Sequence, residues 1–336
     1  MTEKELRDRI IELLSTIQGN AVPQSFIHKS LTASKSRVSE ILAELEREGL
    51  IRRRQVGRSK IVYVPSGISE IERSGEKKKI SLGIVYSSEY LFLGYFLKRL
   101  KEAGLEIEVK VFSDGIEATD SLAHGSIDLS ISPFVGQLLM FPLFESYTII
   151  AKGMGKGYNI MYKEGGEAVH SSKMSTMDYI RSVALKRGII YSDTISYYSS
   201  IDELLRKAHR EKGYVVTWHP IFRFLEKMGF RRIDFEGIVK NELCCSLGIS
   251  NILGNKMKDK IAELYVKSLE DYLGKKDKYI ETYSAITGIE VPLLKDAIKE
   301  YEVFEGEGRN AAIEVLENIS TSIPHKSEFL KALSSI

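Results

Sequence analysis

The residues with the chemistry to act on something outside the chain fall into three groups. The first is cationic: Arg52, Arg53, Arg54, Arg58 and Lys60 follow one another closely with no acid among them. Such a run neutralises phosphates, or else forms a solvated basic turn. The second is a set of hydroxyls, Ser171, Ser172, Ser175 and Thr176, with Lys173 beside them. At a helix start, hydroxyls and free backbone N–H groups hold an anion; capping the helix needs only one of the four. The third is Trp218, the sole tryptophan, followed by His219. An indole there stacks on a ring or covers an apolar ligand while the imidazole hydrogen-bonds it, unless the indole is simply core.

Other chemistries are not signalled. There is no P-loop and no GxSxG elbow, and the six histidines show no paired metal spacing. The KGMGKGYN string (152–159) has GxGxG rather than GxGxxG spacing and predicts a hairpin or a crossing between lobes. The only cysteines, Cys244 and Cys245, are adjacent. An ordinary disulfide between them is strained, and two thiols cannot make a four-thiolate zinc site, so they read as buried thiols. No catalytic residue, metal ligand or cofactor is predicted, and the chain reads as a non-enzyme.

The elements that must carry these groups differ along the chain. Of 336 residues, 43% are hydrophobic and 28% charged, with a net charge of +2, ordinary values for a globular protein of two or three domains. The charge is uneven: residues 1–65 hold 12 Lys and Arg against 8 Asp and Glu. The charge-rich start MTEKELRDRIIELL lacks the apolar centre of a signal peptide, and no stretch approaches the ~18 apolar residues of a membrane span. The expectation is a soluble cytoplasmic chain with no membrane partner.

Periodicity predicts helices over 3–17, 24–31 and 33–48, the last capped by Thr32 or Ser34. Val38, Ile41, Leu42 and Leu45 form its apolar stripe, and Gly49 stops it. Two strands around a turn at residues 56–59 then make a basic hairpin. This arrangement puts Ser34, Lys35, Ser36, Arg37 and Ser39 at the start of a helix able to enter the major groove. The string SRVSEILAELEREGLIRRRQVGRSKIVYV (36–64) resembles the recognition helix and wing of winged-helix transcription regulators. The resemblance implies double-stranded DNA as partner, read by a homodimer; the same module making only protein contacts is the competing reading.

Residues 66–79 read as a polar linker. From Ile80 the pattern is strand 80–88, helix 89–103, strand 105–112, helix 115–124 and strand 127–132, an α/β parallel sheet. Ligands gather beyond the carboxyl ends of such strands. That places Tyr86, Ser87, Ser88, Glu89 and Tyr90 there, with Ser113, Asp114 and Gly115, and Ser132, Pro133 and Phe134. Five further helices are predicted between 255 and 335.

The strings IVYSSEYLFLGYFLKRLKEAGLEIEVKVF (84–112) and GIEATDSLAHGSIDLSIS (115–132) resemble the type 2 periplasmic-binding-protein fold, also used as the effector domain of LysR-type regulators. The resemblance implies an N-terminal winged helix (1–65) joined to a two-lobed α/β domain (80–336). Lobe I spans about 80–150 and 237–336, lobe II about 155–236, with C-terminal helices on the first. It also implies a small effector, anionic or ring-containing, held between the lobes by the residues after the first and third strands, by the 171–176 hydroxyls and by Trp218 and His219. The expected function is a one-component transcription regulator. The competing class is a receptor-fold enzyme resembling thiamine-precursor synthases, with a winged-helix adaptor head; the longer cysteine motif of those enzymes is missing.

Overall fold

A computed structural model of the chain describes residues 3–16, 21–48, 50–56, 59–63, 79–192, 194–235, 237–319 and 322–334. The N-terminal part runs α1 (Glu3–Ser15), β1 (Ala21–Pro23), α2 (Gln24–Ser30), α3 (Lys35–Arg47), β2 (Arg52–Val56) and β3 (Ser59–Tyr63). Helix α3 begins where the Ser34 hydroxyl accepts the Arg37 N–H at 3.4 Å, so Ser34 rather than Thr32 is the cap. The three strands form an antiparallel sheet in the order β1-β3-β2. Strand β1 is three residues long, too short to show a two-residue period, and was not expected. Leu6, Ile10, Leu14, Ile27, Val38, Ile41, Leu42, Leu45 and Val62 make an apolar cluster of their own. The α3 stripe is thus consumed by α1, α2 and β3, which leaves its polar face outward. Gly49 and Arg58 lie outside the described residues.

The rest begins with β4 (Lys79–Val85), α4 (Leu93–Glu102), β5 (Glu106–Phe112), α5 (Gly115–Ala123), β6 (Leu129–Pro133), α6 (Phe134–Phe144) and β7 (Tyr147–Lys156). It continues with β8 (Tyr158–Lys163), β9 (Val169–Ser172), α7 (Thr176–Lys186), β10 (Ile195–Tyr198), α8 (Ile201–Arg210), β11 (Gly213–Trp218), α9 (Ile221–Lys227) and β12 (Arg231–Arg232). Last come β13 (Cys245–Ser250), α10 (Asn255–Gly274), α11 (Ile280–Thr287), α12 (Val291–Glu300), β14 (Tyr301–Val303), α13 (Gly308–Asn318) and α14 (Lys326–Leu330).

The strands sort into two sheets, a six-stranded one ordered β14-β7-β13-β6-β4-β5 and a five-stranded one ordered β10-β9-β11-β8-β12. Strand β4 is parallel to β5 and β6, while β13 is antiparallel to β6 and β7. The chain crosses between sheets twice, at 156–158 and again between β12 and β13. The first crossing settles the glycine-rich string: β7 and β8 belong to different sheets, so it is a crossing and not a hairpin. It requires glycine at 157, where φ is +71° and a Cβ would lie 1.8 Å from the Tyr301 ring.

Three differences from expectation bear on the site. The helix after β4 starts at Leu93, so residues 86–92 form a loop in which the Glu89 N–H bonds the Ser87 hydroxyl at 3.1 Å. Residues 134–144, for which no helix was predicted, form α6, buried nearly all round. Residues 301–303, expected at a helix end, are β14 paired with β7. Among the described residues, no helix is long and apolar enough to cross a membrane.

Candidate functional site

Residues carried by both sheets line a cavity of ≈ 30 Å³: Val85, Ser87, Glu89, Tyr90, Gly115, Pro133, Ser172, Ser175, Thr176, Met177, Trp218, Cys244 and Cys245. The six-stranded side supplies the loop after β4, the start of α5 and the end of β6. The five-stranded side supplies the start of α7 and the end of β11. Ser175 caps α7 by accepting from Asp178 N–H, and Thr176 reaches across to donate to the Cys244 carbonyl at 2.8 Å. Thus one hydroxyl of the expected cluster caps the helix and the next ties the lobes together.

Glu89 dominates the cavity electrostatically. It is 2% exposed, and its Oε1 atom has no hydrogen-bond partner. Burial pushes its carboxyl up to about 8, partly opposed by the Cys245 and Cys244 thiols. Burial also raises the Cys245 thiol and the Tyr90 hydroxyl well above their ordinary values. At Cys244 the Cys245 contact works downward, but burial and Glu89 leave the thiol raised. The Tyr90 hydroxyl donates to Cys245 Sγ at 3.1 Å.

The remaining expected ligand residues divide by position. Tyr86 lies outside the inner cavity, in an open groove of ≈ 470 Å³ with Phe112, Ser113, Asp202, Leu205 and Phe224. The Trp218 indole N–H donates to the Tyr86 carbonyl at 3.2 Å, so this contact stands between groove and cavity. Ser88 and His219 do not face the cavity. They bond each other, Ser88 Oγ to His219 Nδ1 at 2.5 Å, and His219 Nε2 sits 3.2 Å from Asp296 Oδ2. Burial lowers the His219 pKa, against the pull of Asp296. Ser132 is spent on Thr119 and Gln137. Ser171 is buried in β9 away from the cavity lining, its hydroxyl without a partner. Among the described residues, then, the structure gathers Ser87, Glu89, Tyr90, Pro133, Ser172, Ser175, Thr176 and Trp218, and adds Cys244 and Cys245, which the sequence reading had set aside. Only their position just before and at the start of a strand returning to the first sheet could have brought them in.

In the N-terminal part, Gln24, Ser25, His28, Lys35, Ser36, Ser39 and Lys60 line one open concavity of ≈ 430 Å³. Ser34 and Arg37 stand beside it, exposed. Arg53 is engaged elsewhere: its guanidinium bonds Glu46 at 2.9 and 2.7 Å and the Ser39 carbonyl at 3.3 Å. An arginine already paired and largely covered offers little to a phosphate. Arg52 and Arg54 lie on β2, but their side chains, like all of Arg58, are outside the described residues.

Residues 4–65 match a family described as a domain of unknown function, DUF7343. No curated protein matches the chain. Among solved structures, the alkanesulfonate-binding protein SsuA from Xanthomonas axonopodis pv. citri bound to MOPS is 14% identical, covering 78% of this chain and 99% of its own, with a TM-score of 0.61. The periplasmic aliphatic sulphonate-binding protein SsuA from Escherichia coli is 12% identical over 73% and 86% of the two chains, TM-score 0.56. A Candida albicans gene product, described as defining a new family with the generic periplasmic binding protein fold, is 11% identical over 76% and 96%, TM-score 0.61. At these identities the likeness is one of fold: a mixed α/β, two-lobed periplasmic-binding-protein fold. The two sulfonate-binding neighbours are binding proteins, not enzymes. The comparison also corrects the cytoplasmic placement expected from the sequence, since binding proteins of the periplasm point to a location outside the cytoplasm. That expectation rested on the charge-rich N-terminus and on the lack of a membrane-length apolar stretch.

Proposed function

We propose that the chain is an effector-responsive DNA-binding regulator. Residues 1–65 are its winged helix-turn-helix, 66–79 its linker and 80–336 its sensor, with lobe I at about 80–150 and 237–336 and lobe II at about 155–236. The observation that carries the DNA half is the concavity at the start of α3. Lys35, Ser36 and Ser39 from that helix meet Lys60 of β3 there, cations and hydroxyls at the helix end that reads base edges. Lys35, Ser36, Ser39 and Arg37 contact the major groove, with Ser34 holding the helix start, and Lys60, Arg52, Arg54 and Arg58 contact the backbone. Arg53 braces the hairpin against α3. A homodimer presents two such helices to two half-sites.

The sensor half is supported by the two-lobed fold, shared with proteins described as sulfonate-binding. A small organic effector occupies the groove beside Tyr86, a volume within the range of ligand pockets. Lobe closure on it changes the DNA affinity only as far as the ligand prefers one lobe arrangement.

The test is a gel shift with DNA fragments surrounding the chain's own gene, using the full protein. Retarded bands that weaken steeply with salt support the reading, as does loss of sequence preference in Arg37→Ala. Equal and weak binding to every fragment by wild type and variant overturns the DNA half.

A further inference from the structure

The cavity floor carries a chemistry that the effector reading does not use. Glu89, Cys244 and Cys245 each offer one ligand atom, and these atoms lie within 4.8 Å of one another. All three residues are buried. It is the only such group of His, Cys, Asp or Glu among the described residues. We propose that Glu89, Cys244 and Cys245 form a site for one thiophilic metal ion, with Zn²⁺ as its ordinary occupant.

The geometry suits a shared ion. The two sulfurs are 4.0 Å apart; at a zinc–sulfur length of about 2.3 Å they subtend roughly 120° at a common centre, close to tetrahedral or trigonal coordination. The donor set is two sulfurs and one carboxylate oxygen, which favours zinc and softer ions over Mg²⁺ or Ca²⁺, whose sites are built from oxygen. Glu89 Oε1 is hidden from solvent and has no partner, a cost that folded proteins avoid unless something else meets the atom. The cavity of ≈ 30 Å³ admits one or two water-sized species: room for an ion and a completing water, and too little for an organic molecule. Tyr90 already donates to Cys245 Sγ, which stabilises a thiolate there. Binding expels both thiol protons and any proton on Glu89, so the ion replaces them as the carrier of positive charge.

The location gives the ion a consequence. Cys244 ends the second crossing between the sheets; its N–H bonds the Met154 carbonyl of the first crossing strand, and its carbonyl receives Thr176 from the opposite lobe. An ion joining Glu89 to Cys244 therefore braces this crossing between the two sheets.

The experiment uses the full chain, reduced and stripped with chelator, then dialysed against Zn²⁺ with Mg²⁺ as control and assayed for bound metal. One Zn²⁺ per chain is expected, with affinity reduced tenfold or more in Glu89→Gln and binding lost in the Cys244→Ser/Cys245→Ser double variant. As a readout independent of how that variant folds, Co²⁺ is added to the wild type: an intense thiolate-to-cobalt charge-transfer band in the near ultraviolet is expected. No zinc retained, a cobalt spectrum without that band, or unchanged zinc binding in a folded double variant overturns the site. A metabolite that raises the melting temperature of metal-free protein separates the two ideas, because the effector reading then stands whether or not the metal binds.

Discussion

Glu89 shows how position and partners divide the labour of prediction. Its place after the first strand of an α/β sheet is legible in the sequence, because ligand loops gather at strand ends. Its neighbours are not: Cys244 and Cys245 stand 155 and 156 positions further on, and only the return of the chain to the first sheet brings them to the carboxyl. Ser88 and His219 err in the other direction. Both were expected at the ligand and instead bond each other, because a buried hydroxyl and a buried imidazole must be satisfied before either is free to bind anything. Glu89 also makes a pH prediction for the metal-free protein. Its folded value of about 8 lies above the ordinary value near 4.3, so between those limits the folded state holds a proton that the unfolded chain has released. Stability from this group is complete below the unfolded value and is lost as pH rises towards 8, by roughly a few kcal/mol. Denaturant unfolding at pH 5.5, 7 and 9 should show that fall in wild type and a flatter profile in Glu89→Gln. Parallel profiles would contradict it.

At the scale of elements, periodicity found the helices with a clear apolar stripe, α3 above all, since Val38, Ile41, Leu42 and Leu45 recur at helical spacing and are all buried. It could not find β1 or β14, three residues each, because so short a strand exists only through the partner that completes its hydrogen bonds. Strand β14 is instructive: residues 301–303 follow a helical pattern, yet pairing with β7 ends the helix at Glu300. Ser34→Ala removes the α3 cap and should cost the N-terminal part about 1 kcal/mol, read as a lower midpoint in a probe confined to that part, while Ser34→Asp should retain most of it. Gly157→Ala should be worse. The left-handed backbone alone costs roughly 1–2 kcal/mol, and the added methyl meets the buried Tyr301 ring, so the expected result is a large drop in melting temperature or insoluble protein. Wild-type stability in Gly157→Ala would mean that the crossing is built differently.

For the whole molecule, the proposed regulator makes quantitative demands. Affinity for DNA should fall linearly in a plot of log K against log salt, and Lys60→Ala should reduce that slope by about 1 while leaving sequence preference intact. An effector at one hundred times its dissociation constant should add about 2.7 kcal/mol to the stability of the sensor. Local composition alone determined a good deal of this protein: a basic N-terminal part with its own apolar core and an alternating strand–helix body, because each follows from periodicity and charge within a few tens of residues; the expected linker at 66–79 lies almost wholly outside the described residues. Tertiary structure alone decided which sheet each strand joins, which hydroxyls are spent on capping or on bridging the lobes, and that a carboxyl and two thiols distant in sequence share one buried cavity. Those outcomes depend on contacts between segments more than a hundred residues apart, and a local pattern holds no record of a partner it meets only on folding.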